Sequence, residues 1–261
     1  MKVIWSSREW AEAVALLPAP GPLPSRTVLV PRERVAHSLR RELIRMGKES
    51  LLTGTRFISP LSAARDVLLE AGVDFQPGEE ALRPARVLSI FNSKIRLQHF
   101  PLYLMLSRPG WDHSFARTIT NIESAGLLPA DLSFSGASKQ LLDIAAVWKA
   151  LEKSAGRSWT SPRILAEAAE HLEQNPRLWP FTGGVIACAW TDVTAVQARF
   201  LQSIPGAEIL LLASRPQRES YIDRIAALFG PEAGKALREE TAPRIRGGDI
   251  PSPWDAYLDR P

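Results

Sequence analysis

The chain has 261 residues, 45% of them hydrophobic and 23% charged, with 32 Lys and Arg against 28 Asp and Glu and a net charge of +4. That length can bury a sizeable core as one large or two modest domains, and no apolar run approaches the roughly 20 residues of a membrane helix. One cysteine and four scattered histidines exclude an internal disulfide and argue against a zinc site, and the quickly charged N-terminus is no secretory signal, so a cytoplasmic protein is expected.

Lys2–Trp5, KVIW, reads as a short opening strand followed by an amphipathic stretch from Ser7 to Leu17. PAPGPLPSR then forbids helix or central strand, because proline lacks a backbone donor and glycine lacks stiffness. TVLVP at Thr27–Pro31 is a β-branched run of the kind buried in parallel sheets. The helix expected next, Arg32–Met46, carries Val35, Leu39 and Leu43 on one face, with Gly47 placed to end it. A strand followed at once by a helix is half of a βαβ unit.

From Leu61 to Leu172 the periodicity is helical, with helices expected at Leu61–Ala71, Glu79–Arg96, Asp112–Ala125, Ser138–Ser154 and Pro162–Glu173. Ser161 reads as an N-cap before a proline at the first helical position. The pattern then reverts to a strand from Gly184, a helix from Thr194, a strand over Glu208–Ala213 and a helix over Arg218–Phe229. The tail APRIRGGDIPSPWDAYLDRP is aperiodic and linker-like. The expected division is residues 1–60 as the first part of an α/β domain, 61–180 as a helical insertion, 181–240 as the rest of the α/β domain, and 241–261 as a linker to a further C-terminal region.

Catalytic signatures are missing from this sequence. After the opening strand stands SSREWAEAV, without the glycines and lysine that cradle phosphate, and neither G-x-x-x-x-G-K-[ST] nor G-x-G-x-x-G occurs. Cys188 sits in a strand with no neighbouring base and reads as a core thiol. His37, His99, His113 and His171 share no helical spacing. Asp143, Glu152, Glu167 and Glu173 read as solvated helix faces. Arg34, Arg41, Arg45 and Lys48 fall on one side of the first long helix, opposite its apolar stripe. Phosphates could lie along such a row, although an ordinary solvated face explains it too. Trp111, in phase with Phe115, Ile119 and Ile122, and Trp148 have core spacing.

The order of these elements resembles the N-terminal half of superfamily 1 helicases, a RecA-like parallel α/β sheet interrupted by an all-helical insertion. WTDVTAVQARFLQSI is similar to the helicase segment around the magnesium-binding acids. On that pattern Asp192 and Gln197 match, while Cys188 and Ala189 replace the acidic pair. LLASRPQRESY is similar to the next motif, with Gln217 and Tyr221 in place and the acids gone. TVLVPRERVAHSLRREL, SRPGWDHSFARTITNIESAGLLPADL, DIAAVWKALEKSAGRSWTSPRILAEAA and WPFTGGVIACAWTDVTAVQARFL together resemble the inactivated helicase-like N-terminus of AddB-type subunits and related PD-(D/E)XK nuclease family proteins, over most of residues 27 to 213.

The resemblance implies a degenerate P-loop NTPase-like fold with ATP hydrolysis lost, no cofactor, no metal and no catalytic residue in this chain. It implies a non-catalytic domain of a bacterial double-strand-break repair exonuclease that guides DNA or docks a helicase–nuclease partner subunit, with the cutting domain beyond Pro261. The DNA contacts expected are Arg34, Arg41, Arg45 and, in the helical insertion, Arg117. The alternatives are a protein-interaction scaffold without DNA contact and an enzyme of unknown type using the cleft above the sheet, with Asp192 as its candidate residue.

Overall fold

The structure is a computed structural model that describes the backbone of residues 2–6, 26–188, 193–212 and 219–235, with side chains over 26–188, 193–207 and 223–235. The expected amphipathic stretch Ser7–Leu17, the Pro-Gly segment that follows it and the linker 241–261 lie outside the described residues.

Strands β1 (Lys2–Ser6), β2 (Arg26–Leu29), β3 (Thr55–Ile58), β6 (Gly184–Ala187) and β7 (Ala207–Leu212) form one parallel sheet in the order β1–β7–β6–β2–β3. Val28, Leu29, Ala187 and Cys188 have no exposed surface, as strands covered on both faces require. Their side chains alternate. Val28, Val30, Ile186 and Cys188 join one cluster, whereas Leu29, Val185 and Ala187 join another.

Helix α1 (Glu33–Arg45) covers the first face with Ala36, Leu39 and Leu43, three and four residues apart. The second face carries α2 (Pro60–Glu70), α7 (Ser161–Gln174), α8 (Ala195–Ser203) and α9 (Glu219–Phe229), packed through Val67, Ala168, Phe200 and Ile225 among others. Between α2 and α7 come α3 (Glu79–Asn92), α4 (Leu102–Ser107), α5 (Trp111–Ser124) and α6 (Lys139–Ala155). These enclose a cluster of their own around Phe91, Phe115, Ile119, Trp148 and Leu151. Trp111 and Trp148 therefore pack as their spacing predicts. Within the span 61–180 the two end helices, α2 and α7, belong to the sheet's cluster, and the separately cored part is the middle.

The chain passes into and out of that middle block through one neck. There β4 (Gln76–Pro77) pairs with β5 (Ser158–Trp159) in parallel. Phe75 stacks on Trp159 at 5.2 Å and the Arg163 guanidinium lies 4.6 Å from the same indole. The Glu80 carboxylate accepts the Ser161 N–H, and the Arg157 guanidinium pairs with Asp74.

Several expectations are corrected in detail. Thr160, not Ser161, is the N-cap of α7, and its hydroxyl accepts the Arg163 N–H. The helix expected to run to Arg96 stops at Asn92, where Lys94 reverses the chain at φ 59°. Asp143 is not on a solvated face. It is 2% exposed, and its carboxylate accepts the backbone N–H groups of Gln98, His99 and Phe100 at 2.7, 2.8 and 3.0 Å. β3, α4 and the β4–β5 ladder are additional to the elements read from the sequence.

Candidate nucleic-acid interface

β2 and β6 are neighbours whose chains leave in opposite directions, towards β3 and β7 respectively. Open parallel sheets form ligand crevices outside the carboxyl ends of strands at such a reversal. The residue at that end of β6 is Cys188. Its N–H donates to the Leu29 carbonyl at 2.9 Å, and its thiol packs with Val28, Val30 and Ile186 at 0% exposure. Burial pushes the thiol up to about 12, because a thiolate there would lose its hydration. Cys188, the first of the two positions expected from the sequence resemblance to replace an acidic pair, is thus a core side chain. Ala189, Asp192 and Gln217 lie outside the described residues.

Gln197 is described, and its side chain serves the backbone. Thr194 caps α8 by accepting the Gln197 N–H at 3.3 Å, while Gln197 Oε1 accepts the Thr194 N–H at 3.0 Å. This is a capping box, which satisfies two donors that a helix start leaves orphaned. Arg224 on α9 donates to the Val193 carbonyl at 2.9 Å, just ahead of that cap. Gly126, at the end of α5, lies against the same helix start: a Cβ there would come within 3.8 Å of Ala195 and 3.9 Å of Val196. The end of α5 is therefore packed against the carboxyl side of the sheet.

The cationic row lies on α1. Arg34, Arg41 and Arg45 are exposed, and they project opposite Ala36, Leu39 and Leu43, so the packing that seats α1 on the sheet turns them outward. At 1.5 Å per residue the row is about 16 Å long. Arg45 is engaged by Glu42, one turn back, with its Nη2 2.5 Å and its Nε 3.1 Å from the same carboxylate oxygen. Among the described residues, Arg34 and Arg41 have no acidic partner. Beside the row, Arg40 lies 4.9 Å from the Phe57 ring, in a cleft of about 150 Å³ that Glu33, Ser59 and Ser62 also line.

Arg117 stands apart from that row, on α5. It lines a groove of about 460 Å³ between α3 and α5 with Glu80, Arg83, His113, Thr120 and Asn121. Beneath the groove Arg83, 5% exposed, pairs with Glu123 at 2.9 Å and donates to Thr120 Oγ1 at 2.8 Å. Thr160 donates to the other Glu123 oxygen at 2.8 Å, and Arg86 Nε lies 3.0 Å from the carboxylate of Glu79. Desolvation raises the Glu79 carboxyl above its ordinary range, with Arg86 and then Arg83 opposing it.

Sequence reading missed this network, and Asp143 as well. For Asp143 a signal was available, since it stands four and eight residues before the buried Val147 and Leu151.

Among the described residues no group of His, Cys, Asp and Glu is placed to hold a metal ion, and no helix is long and apolar enough to cross a membrane. No protein-family model matches the chain, and no curated protein matches it.

Proposed function

We propose that this chain is a non-catalytic, helicase-like DNA-binding domain of a bacterial repair nuclease of the AddB type, with a RecA-like sheet interrupted by a helical insertion. The observation that carries the reading is the pairing of two features on one face of the sheet. Cys188 fills with core packing a position where the resembling enzymes hold magnesium, and α1, on the same face of the sheet, turns Arg34, Arg41 and Arg45 outward. The parallel sheet, left after β3 and re-entered at β6, supports the same reading.

In this account the sheet is a frame. α1 offers guanidinium groups to phosphates, which release condensed counterions on binding and give affinity without sequence preference. A guanidinium suits this task because its planar fork donates to two oxygens of one phosphate. Strand cutting would belong to a domain beyond this chain.

The test is equilibrium DNA binding by the whole chain at low salt, with R34E/R41E/R45E as the variant. All three side chains are exposed, so circular dichroism and the melting temperature should stay close to wild type. The reading predicts a loss of affinity of at least about tenfold. Unchanged binding by a folded variant removes the α1 site, and a wild-type chain that shifts no DNA favours the protein scaffold.

A further inference from the structure

A second surface lies in the helical block, on the lobe that joins α3 to α5. From Ala81 to Trp111 the sequence contains no Asp or Glu, and the lobe itself carries Lys94, Arg96 and Arg108. All three are exposed, and among the described residues none of them makes an ion pair. On α4, Met105 faces inward at 3% exposure, while Tyr103 is 72% and Leu106 43% exposed. An aromatic ring standing this far into solvent, in a lobe whose cations are unpaired, is uncommon, since aromatic side chains usually bury most of their surface.

The lobe is held firmly. Asp143 binds three consecutive backbone N–H groups of its first half. His99 and Gln140 share a hydrogen bond at 2.9 Å. Phe100 packs edge-on against Phe115 at 5.1 Å and Trp111 at 5.9 Å. Lys94 is also the one non-glycine residue with positive φ among those described. That conformation suits glycine or asparagine at a helix end, and lysine there is strained.

We infer that this lobe is a binding surface for single-stranded nucleic acid, with Tyr103 stacking on a base and Lys94, Arg96 and Arg108 contacting flanking phosphates. The inference rests on the DNA-binding reading and adds to it a strand preference that α1 does not supply. Every base has a flat π face, so a ring flanked by cations binds an unpaired strand of any sequence, whereas a duplex keeps its bases stacked out of reach. The cations select a polyanion over a neutral apolar partner.

The test is fluorescence anisotropy of the whole chain with labelled oligo(dT) and with a duplex of equal length. Tyr103→Ala is expected to weaken oligo(dT) binding by about 5- to 150-fold, Tyr103→Trp to retain it, and neither to alter duplex binding. K94G/R96A/R108A is expected to lower the salt dependence for oligo(dT), in log–log form, by about 2. Lys94→Gly alone relieves the left-handed backbone, so its stability should equal or exceed wild type while oligo(dT) affinity falls. Tyr103→Ala binding oligo(dT) like wild type, losing duplex affinity equally, or losing binding to anionic lipid vesicles or polyglutamate instead overturns the inference. Duplex binding that persists and depends on Arg34, Arg41 and Arg45 while Tyr103 proves neutral overturns the lobe alone. Binding that depends on Tyr103 but not on those arginines overturns the α1 site alone, and a chain that binds neither probe overturns both.

Discussion

Arg83 and Glu123 face one another at 2.9 Å across α3 and α5, with only 6% and 12% of their side chains exposed. Removing one partner leaves a buried charge uncompensated, which costs about 3–5 kcal/mol, whereas replacing both with apolar residues is often close to neutral. Arg83→Met and Glu123→Leu should therefore each lower stability in urea unfolding by that amount. R83M/E123L should recover most of it. The coupling matters because Glu123 also accepts from Thr160 at the neck, which ties the helical block to the sheet.

Cys188 provides the second prediction. With its thiol pushed up to about 12 and no exposed surface, it should resist thiol reagents at pH 8 until the protein unfolds. Cys188→Asp, which introduces an acid where the proposed helicase-like pattern carries one, would place a carboxyl group among Val28, Val30 and Ile186. The cost is about 2–7 kcal/mol even in the protonated form, and urea unfolding should show it. The same variant should gain no ATPase activity.

Two carboxylates should act on stability in opposite directions as pH changes. Hydrogen bonding to Arg199 holds Glu173 below the usual range, so its contribution is present above the unfolded value and lost as pH falls through the folded one. Desolvation raises Glu79, so its contribution is present below the unfolded value and lost as pH rises through the folded one. Melting temperatures across about pH 3 to 6 should therefore show Glu173→Gln flattening the decline in acid. Glu79→Gln should flatten the decline towards neutral pH.

The capping box separates structural roles from binding roles. Thr194→Ala should cost about 1 kcal/mol, measured by urea unfolding, and leave DNA affinity unchanged. An altered affinity would mean that Gln197 does more than fix the start of α8.

The sheet and long helices were legible because apolar spacing reports directly on burial. TVLV lies between two covered faces, and Ala36, Leu39 and Leu43 repeat at helical intervals. β3 was not legible, since TRFI is short and half-exposed and gains its partner from β2, nearly thirty residues earlier. Arg34, Arg41 and Arg45 could be placed on one face because a single helix carries them. Arg117 could not be related to that face, because its position depends on the packing of α5 against α3. Asp143 misled for the opposite reason. Charge implies solvent until long-range partners are known, and those of Asp143 lie on the Gln98–Phe100 backbone, over forty residues away in sequence.

The proposed binding of DNA phosphates by the outward face of α1 is tested most directly by the salt dependence of duplex affinity for wild type and R34A/R41A/R45A. Each lost phosphate contact removes about 0.9 from the log–log slope, so the account predicts a slope smaller by about 2 to 3. A folded variant whose slope and affinity match those of wild type would contradict it.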